Sequence, residues 1–319
     1  MCVVNWNLAD TLRRCLRSLF ETAPQSGLDL EVIVVDNGSE DGSPEMVRRE
    51  FPQAGVIALP TNELFAAACD RGAEQAHGRH VLLLNNDTEV DCRALAEMVR
   101  FLDERPQAGA CGPLLIRPDG RIEQSYERFP TIPWQVAKLL GLSSLAMLGG
   151  CGRQPYRTPI ILGSCLLVRG DLGRRLGFFD PGFRFYYEEV DLCYRIWQSG
   201  HEVWVLPQCT VRHAHAQSSQ HMDATERLRH LHSGYARFIA KHRSGWRRRA
   251  LWALFRLTLM RKVAGYALLT GLTLGLSRPV RSKLRGALDS VRLTRDLAPE
   301  LPERAPRASP RNDTDGDGD

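Results

Sequence analysis

Three carboxylates fall within four residues of the segment 185–195. They are Glu188, Glu189 and Asp191, and they begin a stretch with a helical pattern of apolar residues. On a helix, Asp191 shares a face with Glu188 and also with Arg195, so the arginine could fix one carboxylate while another stays free. A free, partly desolvated carboxylate of raised pKa suits general-base catalysis. The alternative is a solvated acidic helix start, which the helix dipole would stabilise by about 0.3–1 kcal/mol per charge.

A second group of polar side chains follows apolar runs that are typical of strands. Asp36 follows the continuously apolar run 32–35, and Asp87 follows the run 80–84. Ligands bind beyond the carboxyl ends of parallel strands, because the connecting loops converge there. Each of these residues alone could equally form a turn, but their joint placement favours a site. The side chains that we expect along this edge are Asn5, Asn7, Asp36, Asn62, Asn85 and Asp87.

Some of these side chains suit a phosphorylated nucleotide. Asp36 could accept hydrogen bonds from a ribose or a base. Asp87 offers the hard oxygen ligands that Mg²⁺ or Mn²⁺ prefers, and such an ion would bridge two phosphates. His213 follows the last predicted strand and could add a ligand.

The elements that position these residues alternate between strands and helices. The first half predicts strands at 1–5, 31–35, 56–59 and 80–84, with helices at 8–22, 43–50 and 65–77. This alternation indicates repeated βαβ units and therefore an α/β fold with a mostly parallel sheet. Beyond Pro113 the pattern is less regular. It predicts a helix around 134–148, a strand at 160–168, a strand at 202–206 and the segment 211–215 after it.

Composition restricts the function classes. The net charge of +5 over 319 residues is mild and does not favour a nucleic-acid partner. The nine cysteines are scattered singly without metal-ligand spacing, which together with the lack of a signal-peptide pattern indicates a reducing, cytoplasmic setting. A G-x-G-x-x-G motif does not follow the first strand, which argues against a dinucleotide-dependent oxidoreductase. A glycine-rich basic loop is also lacking there, which argues against a sugar nucleotidyltransferase.

The C-terminal third changes character. Basic residues between 241 and 285 surround two apolar stretches, 250–260 and 263–277, and the second is uncharged for fifteen residues. A spanning helix needs about 20 apolar residues, so we expect helices that lie in the interface of the inner face of the cell membrane. The alternative is a pair of helices packed on the first domain or in an oligomer contact. The expected division is a domain at 1–225, a helical region at 226–295 and a disordered tail at 296–319.

The ordered set of motifs resembles the family 2 inverting glycosyltransferases of the GT-A fold. Within that family it is most similar to the rhamnosyltransferase-like members that build bacterial surface polysaccharides. The resemblance covers residues 1 to about 220 in the family's order and spacing. The matching segments are 3–7, 32–39, 41–43, 60–62, 65–68, 82–88, 163–168, 177–183, 187–193 and 211–213.

The resemblance implies a role for most of the candidate residues. Asn5 and Asp36 would help to bind the nucleoside, and the sequence Asn85-Asn86-Asp87 stands where the family has its D-x-D-type motif. Asp87 would then be the main protein ligand of Mg²⁺ or Mn²⁺, and His213 would complete the metal or diphosphate site. The donor would be dTDP-rhamnose or a UDP-hexose, and the acceptor a glycan or a lipid-linked glycan.

Two departures from the family pattern concern activity. Glu188-Glu189 corresponds to the family's Glu-Asp pair, so Glu189 would be the catalytic base on a side chain longer by one methylene. Leu64 stands where the family has a glycine, and leucine does not adopt a positive φ cheaply. The alternative function is therefore a catalytically impaired sugar-nucleotide-binding or scaffold protein of the same fold.

Overall fold

The computed structural model describes residues 1–123, 126–142, 154–214, 223–273 and 276–297. The strands are β1 Cys2–Asn5, β2 Ile33–Asp36, β3 Gly55–Ala58, β4 His80–Asn85, β5 Thr88–Glu89, β6 Ala108–Ile116, β7 Ile122–Glu123, β8 Tyr126–Glu127, β9 Tyr156–Arg157, β10 Ile160–Ile161, β11 Cys165–Arg169 and β12 Glu202–His213. The helices are α1 Ala9–Thr22, α2 Ser43–Glu50, α3 Phe65–Glu74, α4 Cys92–Glu104, α5 Ile132–Leu139, α6 Gly170–Leu176, α7 Glu188–Gln198, α8 Ala224–His242, α9 Gly245–Leu272 and α10 Arg278–Leu297.

The central sheet has the order β3-β2-β1-β4-β11-β6-β12-β5. Strands β1 to β4 are mutually parallel, which confirms the βαβ units expected from the first half of the sequence. The second half is mixed, because β11 runs antiparallel to both β4 and β6 while β6 and β12 are parallel. The α/β class is confirmed, and the carboxyl ends of β1, β2 and β4 meet at one edge of the sheet.

Alternate side chains of the strands enter two apolar cores, one on each face of the sheet. Val3 and Val34 face the core that α1, α2 and α4 cover, whereas Val4 and Val35 face the core under α3, α6, α7 and α8. Each buried valine or leucine contributes about 1.5–3 kcal/mol relative to exposure, so both faces hold the helices firmly. Continuous apolar runs in the strands are the consequence of a sheet covered on both faces.

The structure corrects several element boundaries. The single strand expected at 160–168 is wrong: β10 and β11 lie in different sheets, and Gly163 and Ser164 lie between them. The segment 202–206 and residues 211–213 of the next segment belong instead to one long strand, β12, which is irregular between Leu206 and Thr210, and residue 215 lies outside the described residues. The helix expected at 134–148 ends at Leu139, and residues 143–150 lie outside the described residues.

The C-terminal region forms three helices. Phe238 and Ile239 of α8 are buried in the same core as α7. Helix α8 begins near the expected boundary at 225, yet it packs as part of the first domain. The two apolar stretches fall within α9, as far as Leu272, and α9 packs against α5 and α10. Across the described ranges, every helix is too short or too polar to cross a bilayer. Most of the expected tail, residues 298–319, lies outside the described residues.

A buried cluster of charges joins α7 to α8. Asp191 is fully buried, and its carboxylate contacts Arg195 Nε at 2.7 Å, Lys241 Nζ at 2.9 Å and His242 Nε2 at 2.7 Å. Arg195 also donates hydrogen bonds to the carbonyl oxygens of residues 176–178. Burial alone would raise the pKa of Asp191, but the hydrogen bond with His242 and the charges of Arg195 and Lys241 hold it well below its usual range. The expectation that Arg195 fixes one carboxylate of the cluster is confirmed.

We predict that Asp191→Ala lowers the free energy of unfolding by about 3–5 kcal/mol, because it leaves buried cationic groups without their partner. Asp171→Ala is the matched control, since Asp171 pairs with Arg175 at the same i,i+4 spacing but both side chains are 59% exposed. Exposed pairs contribute less than about 1 kcal/mol. Urea unfolding at neutral pH measures both. Equal losses in the two variants would contradict the role given to Asp191.

The pKa of Asp191 also fixes the sign of a pH dependence. Because its pKa is lowered in the folded protein, its contribution is complete above the unfolded value of about 3.9 and is lost as the pH falls below it. The difference in unfolding free energy between wild type and Asp191→Asn should therefore shrink on acidification below about pH 4.

Candidate active site

Asn5 joins the ends of neighbouring strands. It lies opposite Asp36 in the β1–β2 register, and its Nδ2 is 3.2 Å from Asp36 Oδ1. Its Oδ1 accepts a hydrogen bond of 2.7 Å from Asn86 Nδ2, in the turn after β4. All three residues are buried. The structure thus brings together Asn5, Asp36 and Asn86 at the carboxyl edge of the sheet, as the sequence predicted.

The loop after β2 is held by its own polar side chains. Asp36 Oδ2 accepts a hydrogen bond from the Ser39 backbone N–H, and Ser39 Oγ accepts one from the Asn7 N–H. Asn7 adopts a left-handed conformation with φ +51°, and its Oδ1 accepts a hydrogen bond of 2.8 Å from the Glu40 N–H. The side-chain oxygen of Asn7 is therefore used to hold two loops together.

A small aromatic cleft opens beside these loops. Its volume is about 50 Å³ and its walls include Trp6, Asn37, Asn62, Phe65 and Phe185. Asn62 Oδ1 accepts hydrogen bonds from Asn37 Nδ2 and from the following loop. Aromatic faces next to amide groups suit stacking and hydrogen bonding of a nucleobase. Sequence reasoning found Asn62 but missed the aromatic walls and Asn37, although Asn37 directly follows Asp36.

Asp87 and His213 meet because β5 pairs with β12. In that pairing Thr88 lies opposite His213, and the Asp87 carbonyl accepts a hydrogen bond from the Ala214 N–H. As a result Asp87 Oδ1 is 3.2 Å from His213 Nε2, and both residues are buried. On the other side of the ring, His213 Nδ1 is 2.7 Å from Glu123 Oε2. Glu123 was not predicted from the sequence.

The charges around His213 resemble those of a metal-ligating histidine. Burial alone would lower its pKa, but hydrogen bonds with Asp87 and Glu123 outweigh burial and raise the pKa to about 9. A carboxylate on Nδ1 is the usual outer-shell partner of a metal-bound histidine, and a cation bound at Nε2 would displace the proton that the raised pKa keeps on the ring.

The side chains of Asp87 and His213 fit a divalent cation whose remaining ligands come from the substrate and from water. Among the described residues, we find no group of three or more histidine, cysteine, aspartate or glutamate side chains that could bind a metal ion without other ligands. One carboxylate and one imidazole, from Asp87 and His213, suit Mn²⁺ or Mg²⁺ when phosphate oxygens and water supply the remaining ligands.

The carboxylate pair lies at the start of α7. Tyr186 and Tyr187 precede it with φ of +67° and +76°, a strained conformation that turns the chain into the helix. Glu188 and Glu189 are only 6% and 9% exposed. Burial, together with the charge of Glu189, raises the pKa of Glu188 well above its usual range. The raised pKa favours the protonated form of Glu188, whose neighbour in the chain is a second buried carboxylate.

Backbone contacts relate this pair to the end of β4. Asn85 donates its N–H to the Ser164 carbonyl at 3.1 Å, and a Cβ placed on Gly163 would meet the Glu189 Cβ at 3.6 Å. Asn85 itself immediately precedes the Asn86-Asp87 turn. Asp191 is not part of this arrangement, because its carboxylate is engaged on the α8 side by the cluster described above.

The sequence of this chain is similar to those of known proteins. The sequence profile of the family described as "Glycosyl transferase family 2" matches residues 1–161. An N-acetylglucosaminyl-diphospho-decaprenol L-rhamnosyltransferase of Mycobacterium tuberculosis is 28% identical over 252 residues, which are 70% of this chain and 80% of that protein.

Two solved structures share the fold. The mannosyltransferase of Pyrobaculum calidifontis in complex with GDP-Man and Mn²⁺ aligns with a TM-score of 0.59 at 20% identity, over 93% of this chain and 85% of that one. The structure of GalNAc-T7 with UDP, GalNAc and Mn²⁺ aligns with a TM-score of 0.53 at 19% identity, over 75% of this chain and 49% of that one.

Leu64 adopts a positive φ although it is not a glycine, so it carries backbone strain. Its φ is +69° and its ψ is 171°, a region that only glycine adopts freely and that costs about 1–3 kcal/mol for other residues. Leu64 N–H bonds to Asn62 Oδ1, and its side chain is partly exposed in the aromatic cleft. The loop that carries Asn62 is thus held in a strained shape.

We predict that Leu64→Gly is more stable than Leu64→Ala, although both lose the same contacts beyond Cβ. Glycine removes strain of about 1–3 kcal/mol, while its extra freedom in the unfolded chain costs about 0.4–1 kcal/mol. Thermal and urea unfolding of both variants measure the difference. An alanine variant as stable as the glycine variant would show that the loop relaxes and carries no strain.

Proposed function

Because the chain belongs to the family 2 glycosyl transferases, we propose that it transfers a sugar from a nucleoside-diphosphate sugar to an acceptor hydroxyl with inversion of configuration. The observation that carries this proposal is the buried pair Glu188-Glu189 close to the strand end that bears Asp87. Burying two carboxylates next to each other in the chain opposes folding, and their place near the polar side chains at the strand ends supports a catalytic role. This favours an active enzyme over an impaired binding protein.

On the donor side, Asn5 and Asp36 would bind the nucleoside, with the base between Trp6 and the aromatic residues of the cleft. Asn85, Asn86 and Asn62 would surround the rest of the donor. We propose dTDP-rhamnose as the donor, with UDP-hexoses next. Support comes from the mycobacterial relative, which is a rhamnosyltransferase.

Asp87 and His213 would hold Mn²⁺ or Mg²⁺. The bound ion would neutralise the charge that develops on the departing diphosphate. Glu123 would orient His213 through its Nδ1 and fix the ring for binding by Nε2. Both neighbours of similar fold contain Mn²⁺, which supports the assignment.

Glu189 would be the base. Glu188 is protonated and Glu189 carries the negative charge in this proposal. Glu189 then accepts the proton of the acceptor hydroxyl. The hydroxyl oxygen then forms its bond to the anomeric carbon as the bond from that carbon to the diphosphate oxygen breaks. The diphosphate leaves with the electron pair from the opposite face. Asp191 would act as a positioning residue that fixes α7, because its carboxylate is engaged by Arg195, Lys241 and His242.

The decisive experiment compares Glu189→Gln with Glu188→Gln, two isosteric changes at adjacent buried positions. We expect Glu189→Gln to lower kcat by about 10²–10⁴, because it removes general-base catalysis. Glu188→Gln should stay within about tenfold of wild type, because a neutral amide replaces a carboxyl group that is already protonated. Nucleoside-diphosphate release from dTDP-rhamnose and UDP-hexoses, with Mn²⁺ and a short-chain prenyl-diphosphate-linked N-acetylglucosamine, measures both.

Two results would overturn these assignments. Equal losses in the two variants would remove the distinction between base and proton holder. If the wild-type protein neither bound nor turned over any nucleotide sugar in the presence of Mn²⁺ or Mg²⁺, glycosyl transfer itself would fail.

Peripheral contact with the inner face of the cell membrane is the second part of the proposal. Apolar side chains at the end of α9 face solvent, with Leu268 66% and Leu272 73% exposed, and Leu276 follows at 81%. The flanking arginines Arg278 and Arg281 are exposed too. An anionic bilayer complements both features, since it buries apolar side chains and attracts each nearby arginine by about 1 kcal/mol.

We predict that the protein floats with vesicles rich in phosphatidylglycerol and much less with phosphatidylcholine vesicles. The double substitution Leu268→Ser/Leu272→Ser should release it, whereas Ile122→Ser, an exposed apolar residue outside the C-terminal helices, should not. A dimer in vesicle-free solution that the same double substitution dissociates would assign the surface to a second copy instead.

A further inference from the structure

A cavity of about 370 Å³ lies among α5, α8, α9 and α10. Its walls are largely apolar and include Leu231, Phe255, Leu259 and Tyr266. The chain has only four lysines, yet three of them line this cavity: Lys138, Lys262 and Lys283. None of the lining residues is an aspartate or a glutamate.

The three lysines lack compensating charge. Within the described part of the chain, none of them forms a salt bridge, and the ammonium of Lys138 rests 5.4 Å from the centre of the Trp134 ring. Burial, and then the charge of Lys138, lowers the pKa of Lys262. Lys262 and Lys283 are exposed and Lys138 is half-buried, so the three cations stand at the solvent side of an apolar cavity whose lining has no acidic residue, where a bound anion would offset their mutual repulsion.

Two buried polar side chains complete the cavity. His232 is 4% exposed and Gln135 is 2% exposed, and both line the walls. Among the described residues, the two ring nitrogens of His232 have no hydrogen-bond partner, and the side-chain oxygen of Gln135 has none either. Burial, with the charge of Lys262, lowers the pKa of His232 to about 4, so the ring is neutral and offers one donor and one acceptor. Buried polar atoms are normally paired, and these two sites are available to a ligand.

The position of the cavity relates it to both the catalytic carboxylates and the apolar surface. Tyr187 lines the cavity and directly precedes Glu188 and Glu189. In the other direction, α9 continues from Lys262 and Tyr266 to the exposed leucines Leu268 and Leu272 without a charged residue. A ligand with an anionic group in the cavity would extend one end toward the carboxylates and the other along an apolar helix.

We propose that this cavity binds the acceptor, and that it recognises a phosphate or diphosphate attached to an apolar chain. Lys138, Lys262 and Lys283 contact the phosphate oxygens, His232 and Gln135 hydrogen-bond the polar part, and the chain lies on α9. The inference rests on the proposed glycosyl transfer, because it concerns that enzyme's acceptor.

Binding is tested directly, apart from activity, on the full chain in EDTA so that Asp87 and His213 cannot capture a diphosphate through a metal. The probes are farnesyl diphosphate, pyrophosphate and farnesol, and isothermal titration calorimetry measures the affinity of the protein for each. Farnesyl diphosphate should bind at least about tenfold tighter than either of the others, because only it satisfies the lysines and the apolar wall together. Pyrophosphate binding as tightly as farnesyl diphosphate would mean a free-phosphate site and would overturn the acceptor assignment.

The variant Lys262→Met/Lys283→Met should weaken farnesyl diphosphate binding at least about tenfold. Arg281→Met/Arg285→Met removes two charges from exposed positions of α10 that do not line the cavity, and it should bind as wild type does. His232→Leu supplies an independent check, because it should weaken binding while leaving the thermal unfolding temperature unchanged or higher. Equal binding in the two double variants would refute the proposal.

Donor binding separates this inference from the proposed function. The lysine variant should bind a nucleoside diphosphate with Mn²⁺ as wild type does. If wild type binds no nucleotide, the proposed function fails. If nucleotide binds normally but the lysine changes leave farnesyl diphosphate binding intact, only the assignment of this cavity fails.

Discussion

The buried carboxylate of Asp191 is the constraint on which most of the molecule depends. Its contacts with Arg195, Lys241 and His242 hold α7 against α8, and Arg195 extends the network to the backbone before α7. The N-terminus of α7 carries the candidate catalytic carboxylates, while α8 forms one wall of the lysine-lined cavity. One ionised group therefore ties the helix that carries the candidate carboxylates to the C-terminal helices.

Several features that oppose folding lie close to the candidate site. Leu64, Tyr186 and Tyr187 have positive φ values, and Glu188 is buried beside another carboxylate. Each of these features opposes folding by a kcal/mol or more, whereas the two apolar cores on either face of the sheet are regular. The strained residues flank the nucleotide cleft and the carboxylate pair, so rigidity in the sheet supports conformations in the loops that would not persist alone.

The sequence predicted what depends on strand ends, because parallel strands bring their carboxyl ends to one edge regardless of loop detail. Asn5 and Asp36 were found in this way, whereas Asn86 was named only through the resemblance to the family motif. It could not predict β6, whose Gly109, Gly112 and Pro113 are untypical of a strand; a Cβ on Gly109 would lie 2.7 Å from Leu172, so packing and not propensity selects glycine there. Glu123 was missed because β7 has only two residues, and the antiparallel β5–β12 pairing that delivers His213 to Asp87 is a tertiary contact without local signal.

The burial of α8 in the core of the sheet domain has a consequence for the modularity of the chain. Phe238 and Ile239 of α8 and Leu251 and Trp252 of α9 belong to the apolar core that includes β1 and α3, so the folding unit extends beyond residue 225 into the first turns of α9. An exchange of C-terminal segments between relatives, by recombination or by design, would keep a complete core only if the junction lay beyond Trp252. The exposed apolar end of α9 and the arginines of α10 could then be exchanged together while the sheet domain kept its core.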